Sequence, residues 1–210
     1  MFVLEKIMYI SLLMIVLSFD LIKTERCRIP EENEEIDIDK SPNTWYMVLH
    51  TNDPVMGRDV SGSRLHNFTK TSTGLNMVAT EIHKNSPPQT MLVHWTKQRA
   101  GVYRLDKSDE SVVQASHALM PEGGTSEDAE KLEHAHFIGD NLIVSDEENY
   151  VINAFCGPSD EWVVWVVFPT MNPTIKQLTL MWNKLMEKGI NVQLHLAEAV
   201  EHPAMFMGFK

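Results

Sequence analysis

The chain is short of cations, of cysteine and of long apolar runs. Lys and Arg total 18 against 29 Asp and Glu, a net charge of −11. Phosphate recognition needs a cationic excess, so nucleic acid and anionic lipid surfaces are excluded as partners. Much of the acidity sits in residues 31–39 (EENEEIDID) and 127–133, which read as solvated surface. Beyond residues 7–19 no segment is long and apolar enough to be a membrane span, so no stable membrane association is expected. There is no Gly-x-Ser-x-Gly elbow, no glycine-rich phosphate loop and no His-Glu-x-x-His helix. Nothing points to an enzyme, a cofactor or a bound metal.

What is present begins with an export signature. Residues 7–19 (IMYISLLMIVLSF) are apolar throughout but short for a span, as in the core of a signal peptide, with a cut after Ser18. The chain then divides into a signal peptide over 1–18, an acidic arm over 19–41, a barrel with its helix over 42–197, and a tail over 198–210. A length of 210 residues suits one domain with a sizeable core. The two cysteines, Cys27 and Cys156, in an exported chain most simply form one disulfide, the alternative being two free thiols. Asn67-Phe68-Thr69 is an N-glycosylation sequon, in keeping with a secreted, extracellular protein.

Strand signals follow at short intervals. They cover residues 45–51, 75–83, 90–96, 102–106, 111–119, 132–137, 141–145, 150–156 and 162–168, and two long loops are expected at 52–64 and 120–131. The surest element is a helix over 173–188, capped by Asn172, with Pro173 at its first position and Gly189 as terminator. Ile175, Leu178, Met181, Trp182, Leu185 and Met186 form its apolar stripe. A half-buried strand is expected over 190–196.

The run Trp162–Phe168 (WVVWVVF) is apolar on both faces. A strand with water on one side alternates, so one face must meet an interior and the other must be covered. The amphipathic helix that follows is the available cover. Segments 150–156, with Asn153, and 132–137, with His134 and His136, need no such lid. A closed eight-stranded antiparallel up-and-down barrel with one C-terminal helix outside satisfies both demands.

With Asn43-Thr44-Trp45 where a Gly-x-Trp would open the first strand, and Asp146–Tyr150 (DEENY) in the region of a Thr-Asp-Tyr turn, the chain resembles a lipocalin of the divergent, invertebrate type. The family's Arg at the end of the last barrel strand is missing, and Phe168-Pro169 stands there. The resemblance covers about residues 42–196. It implies pairing of the N-terminal cysteine with a late strand, which matches Cys27 and Cys156. It also implies a carrier or scavenger of a small hydrophobic molecule.

If Trp45 plugs the barrel base as its family counterpart does, alternation turns Met47, Leu49 and Thr51 inward. Met47 and Leu49 are therefore candidate ligand contacts, with Met side chains suited to irregular apolar guests, and Trp95 joins them because Trp45, Trp162, Trp165 and Trp182 already have structural roles in such a barrel. The nine histidines raise a metal as an option, through His134 and His136 on one strand face or His83 and His94 across a turn, and haem or another pigment through a single axial His. No ligand spacing selects any of them. A rival reading makes the barrel a scaffold whose loops 52–64 and 120–131 bind a macromolecule. Neither the ligand nor the oligomeric state follows from the sequence.

Overall fold

The computed structural model describes residues 26–31, 33–56, 60–84, 87–105 and 138–201, with positions 127, 131, 135 and 136. The signal segment, the expected strand at 111–119 and most of the expected 120–131 loop lie outside the described residues. A 3-10 turn at Ile38–Lys40 leads into β1 (Thr44–His50), β2 (Val60–Lys70), β3 (Gly74–His83), β4 (Gln89–Arg99) and β5 (Val102–Leu105). β6 (Asn141–Ser145), β7 (Val151–Cys156), β8 (Trp162–Phe168), α1 (Ile175–Glu187), β9 (His195–Leu196) and α2 (Glu198–Glu201) follow. The strands lie in the order β2-β3-β4-β5-β6-β7-β8-β1-β9, and β1 also pairs with β2. That second pairing closes an eight-stranded antiparallel up-and-down barrel.

β8 is the wall foreseen from its sequence. Val164, Val166 and Phe168 join an outer cluster with Met181 and Leu185 of α1. Val163 packs against Phe155, and Val167 with Trp45 and Met47, so those residues form the opposite, inner face. Ile152 and Ala154 of β7 also lie in the outer cluster, so β7 too is covered, contrary to expectation. Its Asn153 is on the inner face. The far flank stays open, where Leu92 of β4 is 56% exposed.

Helix α1 starts two residues later than Pro173 suggests. The true cap is Thr174, whose hydroxyl accepts from Gln177 N at 3.3 Å while Gln177 Oε1 accepts from Thr174 N at 2.8 Å. This reciprocal box satisfies two orphan donors, which Asn172 cannot do from its place. At the other end Gly189 takes φ 71°. Gly189 N bonds Met186 O and Ile190 N bonds Leu185 O, a Schellman stop. Only Met181 and Leu185 are buried; Ile175, Trp182 and Met186 of the expected stripe are exposed.

Three further expectations fail. Residues 60–64 belong to β2, not to a loop; Ser61 and Ser63 are buried there, and Ser61 donates to Ile82 O at 2.9 Å. Within the expected strand 132–137 the described residues Ala135 and His136 have helical backbone, as does Ile138 after them. Gly139 N bonds Ala135 O, and Asn141 Nδ2 donates to His136 O and Gly139 O, closing that helical end. Of 190–196 only His195–Leu196 pairs as strand.

The acidic arm closes the barrel base and ties it to the mouth. Ile36 is buried with Leu75, Trp95, Tyr103 and Ile143. Lys70 bridges Asp37 and Asp39 at 2.9 and 2.7 Å, which holds the Asp37 carboxyl below its ordinary range. Cys27 and Cys156 are joined in a disulfide, S–S 2.07 Å, across a sequence separation of 129. At the β6–β7 turn Asp146 Oδ1 accepts from the backbone N–H of Glu148, Asn149 and Tyr150, so the DEENY segment forms a side-chain-capped turn.

Candidate ligand-binding site

Alternation along the strands decides what faces the lumen. Met77 and Ala79 of β3, Met91, Val93 and Trp95 of β4, and Met47 of β1 are all buried. With Trp165 and Val167 they surround an interior cavity of about 120 Å³. A second cavity of about 70 Å³ adjoins it toward the base, walled by Trp45, Phe68 and Ile36. Leu65, Met77, Trp95, Val151 and Asn153 line both.

Trp45 is fully buried at the base, opposite Leu65 of β2 and in one cluster with Met47 and Val167. Met47 and Trp95 line the larger cavity, whereas Leu49 does not. The register of β1 on β8 shifts between Met47 and Leu49. That bulge adds a residue and breaks the alternation, so Val48 and Leu49 both pack with the outer cluster. Thr51 is held at the wall: its hydroxyl accepts from Val164 N at 3.1 Å.

The mouth is organised by Asp53, expected only within a loop, and by His136, expected only on a strand. Asp53 is buried and its Oδ1 accepts from Met56 N and Val55 N at 2.9 and 3.1 Å. Its Oδ2 accepts from Trp165 Nε1 at 3.1 Å. Burial raises the Asp53 carboxyl above its ordinary value, and these hydrogen bonds oppose the rise. His136 enters the lumen from the helical segment before β6. Its ring centroid lies 4.7 Å from Phe155, 4.8 Å from Trp165 and 5.6 Å from Trp95. Part of the residue reaches the surface, but the ring is enclosed, and desolvation lowers its pKa to about 3. The ring is therefore neutral, and Asn153 Nδ2 donates to its Nε2 at 3.3 Å. A signal for Asn153 was available: it shares the inward parity of Phe155 within an apolar run. For His136 the sequence offered only a place on a strand face, because its segment reads equally well as a strand.

His83 and His94 do not come together. His94 faces Asn76 across β3 and β4, a strand length away from His83. His134 lies outside the described residues. No group of three or more His, Cys, Asp or Glu able to hold a metal occurs among the described residues. None of the described helices is long and apolar enough to cross a membrane.

No family model and no curated protein matches the sequence. Solved structures do match by shape. The major allergen Per a 4 from cockroaches superimposes with a TM-score of 0.53 at 10% identity, over 83% of this chain and 95% of that one. The fold is of the lipocalin type. An amine binding protein of Rhodnius prolixus, solved with tryptamine, gives 0.49 at 12% identity over 84% of this chain and 88% of its own. An odorant binding protein gives 0.49 at 13% identity over 81% and 97%. At 10% identity the likeness to Per a 4 concerns the fold alone.

Proposed function

We propose that this protein is a secreted carrier or scavenger that holds a small hydrophobic molecule inside its barrel, without catalysis. The observation that carries the reading is the cavity of about 120 Å³ within a closed barrel, walled mainly by Met, Val, Ala and Trp side chains. Met47 and Trp95 are its ligand contacts, joined by Met77, Met91 and Trp165. Burying about 250 Å² of apolar ligand surface yields roughly 6 kcal/mol before ordering costs, enough for micromolar binding. The Cys27–Cys156 disulfide and the apolar 7–19 segment support export. Asn67, exposed and at φ 57° on β2, is accessible for glycan attachment.

The test is a thermal-stabilisation screen of the folded, disulfide-bonded protein with small apolar compounds. At least one should raise Tm in a concentration-dependent way, as ligands that bind only the native state do. Substituting Met47 by Trp, which fills the lumen, should remove that rise. A Tm indifferent to all such compounds would reject the reading.

A further inference from the structure

Two buried polar atoms without partners belong to residues that line both cavities. Trp95 is 2% exposed and its Nε1–H has no hydrogen-bond acceptor among the described residues. Asn153 Oδ1 is likewise buried with no donor. Both residues line both cavities. Buried polar groups are nearly always paired, and an orphan in an apolar cavity calls for an explanation. The amide of Asn153 is anchored from its other side, since Nδ2 is committed to the neutral His136 ring. That leaves Oδ1 as a fixed acceptor and Trp95 Nε1–H as a fixed donor.

The remaining wall limits what can use them. Asp53 lines neither cavity and is occupied by Trp165, Thr51 and two backbone N–H groups. Glu81 lines the larger cavity, but its carboxylate is 3.4 Å from His83 Nε2. No Lys or Arg lines either cavity. An anion would thus enter without a counter-charge, and desolvating it would be costly. A cation would meet a donor in Trp95. Size adds a second limit. An engineered apolar cavity of about 150 Å³ takes up benzene, so about 120 Å³ fits one ring or a short chain.

Resting on the carrier reading above, the geometry points to a ligand class: a neutral, mostly apolar molecule of single-ring size bearing one group that both accepts and donates, such as a hydroxyl. Its oxygen accepts from Trp95 Nε1–H and its O–H donates to Asn153 Oδ1. Two hydrogen bonds in a dry site then separate it from the pure hydrocarbon of the same shape, which leaves both atoms unpaired.

Four probes of one shape test this: toluene, benzyl alcohol, benzylamine and benzoate, titrated into the wild-type protein and Trp95→Phe, with Asn153→Ala as a second variant. Benzyl alcohol should bind the wild type at least about tenfold more tightly than toluene and than either ion. In Trp95→Phe that ratio should fall toward one while toluene affinity changes little. The indole N–H resonance of Trp95 should shift with benzyl alcohol and not with toluene. Toluene binding as well as benzyl alcohol in the wild type overturns the inference and leaves the carrier reading standing, and so does a preference for benzylamine or benzoate. Absence of binding by all four overturns this ligand class, and the broader screen then decides the carrier reading separately. If neither variant folds, the wild-type ratio and the resonance shift still decide.

Discussion

The indole Nε1–H of Trp165 donates to Asp53 Oδ2 at 3.1 Å, linking the chain just beyond β1 to the inner face of β8. The same carboxylate caps the turn at Val55 and Met56 through its other oxygen. Asp53 therefore fixes both a ring that walls the cavity and the loop above it. Asp53→Ala strands the indole donor and two backbone donors in a buried setting, each such loss costing about 1–3 kcal/mol where water cannot enter. Urea unfolding should show a loss of about 2–3 kcal/mol, together with red-shifted tryptophan emission as Trp165 becomes mobile. Unchanged stability would mean that water replaces the carboxylate.

His136 makes stability depend on pH in a defined window. Its folded pKa is about 3, against 6.5 for the free side chain. As pH falls below 6.5 the unfolded chain takes up a proton that the folded one refuses. Stability complete above 6.5 is then lost, by up to about 1.4 kcal/mol per pH unit, until pH reaches about 3. Asp37, Glu127 and Glu187, with lowered carboxyl pKa values, add their own losses only near and below pH 4. Asp53, raised by burial, works in the opposite sense. Unfolding free energies at pH 7 and pH 5 should therefore differ by about 2 kcal/mol in the wild type. In His136→Phe the difference should largely disappear. A variant that keeps the full difference would assign it to another group.

Much of the fold was legible in the sequence because its strongest constraints are local and periodic. The two-sided apolar run of β8, the amphipathic period of α1 and Gly189 each admit one physical solution. Elements that depend on distant partners were not legible. Ser61, Gly62 and Ser63 look like a loop, yet they lie in β2, opposite the end of β3. Ala135, His136 and Ile138 carry no clear period, and their helical backbone is secured by Asn141. The site follows the same division. Met47 could be placed by parity and Trp95 by elimination among the tryptophans, whereas Leu49 could not, because one bulge reverses parity and no residue type announces it.

Gly101 is a position where the arm meets the barrel. It has φ 63°, and a Cβ there would stand 2.9 Å from Glu34 O and 3.0 Å from Asn33 Cβ. Any L-residue is strained in that conformation. Gly101→Ala should cost about 1–3 kcal/mol. Gly189→Ala has the same backbone strain but nothing within 4 Å of the added carbon, so it should cost less, about 1 kcal/mol. Equal penalties for the two would show that the arm yields freely.

The disulfide closes a long loop, with a sequence separation of 129. The chain-entropy account gives about 4–5 kcal/mol for a bridge of that span. Cys27→Ser with Cys156→Ser should remove most of that, read as a lower urea midpoint. The loss should start at the arm, since Ile29 leans on the outer cluster and Ile36 on the base. Amide exchange should then quicken first at residues 27–40 and later in β3 and β4. A uniform rise in exchange across the barrel would instead assign the bridge a global role.

Met47 and Leu49 are two residues apart on β1, yet the bulge places them on opposite sides of the wall. This separates binding from stability in a way that alternation alone would not. Met47→Trp adds bulk to a cavity of about 120 Å³ and should weaken uptake of a single-ring probe by at least about tenfold. Leu49→Ala removes outer packing instead. It should cost about 1–3 kcal/mol of stability and leave probe affinity within about twofold. Measuring both quantities for both variants, by calorimetric titration and by urea unfolding, distinguishes the two positions. If Leu49→Ala lowered affinity as much as Met47→Trp, the inward parity of β1 would run unbroken to Leu49, and the bulge would have no bearing on the lumen.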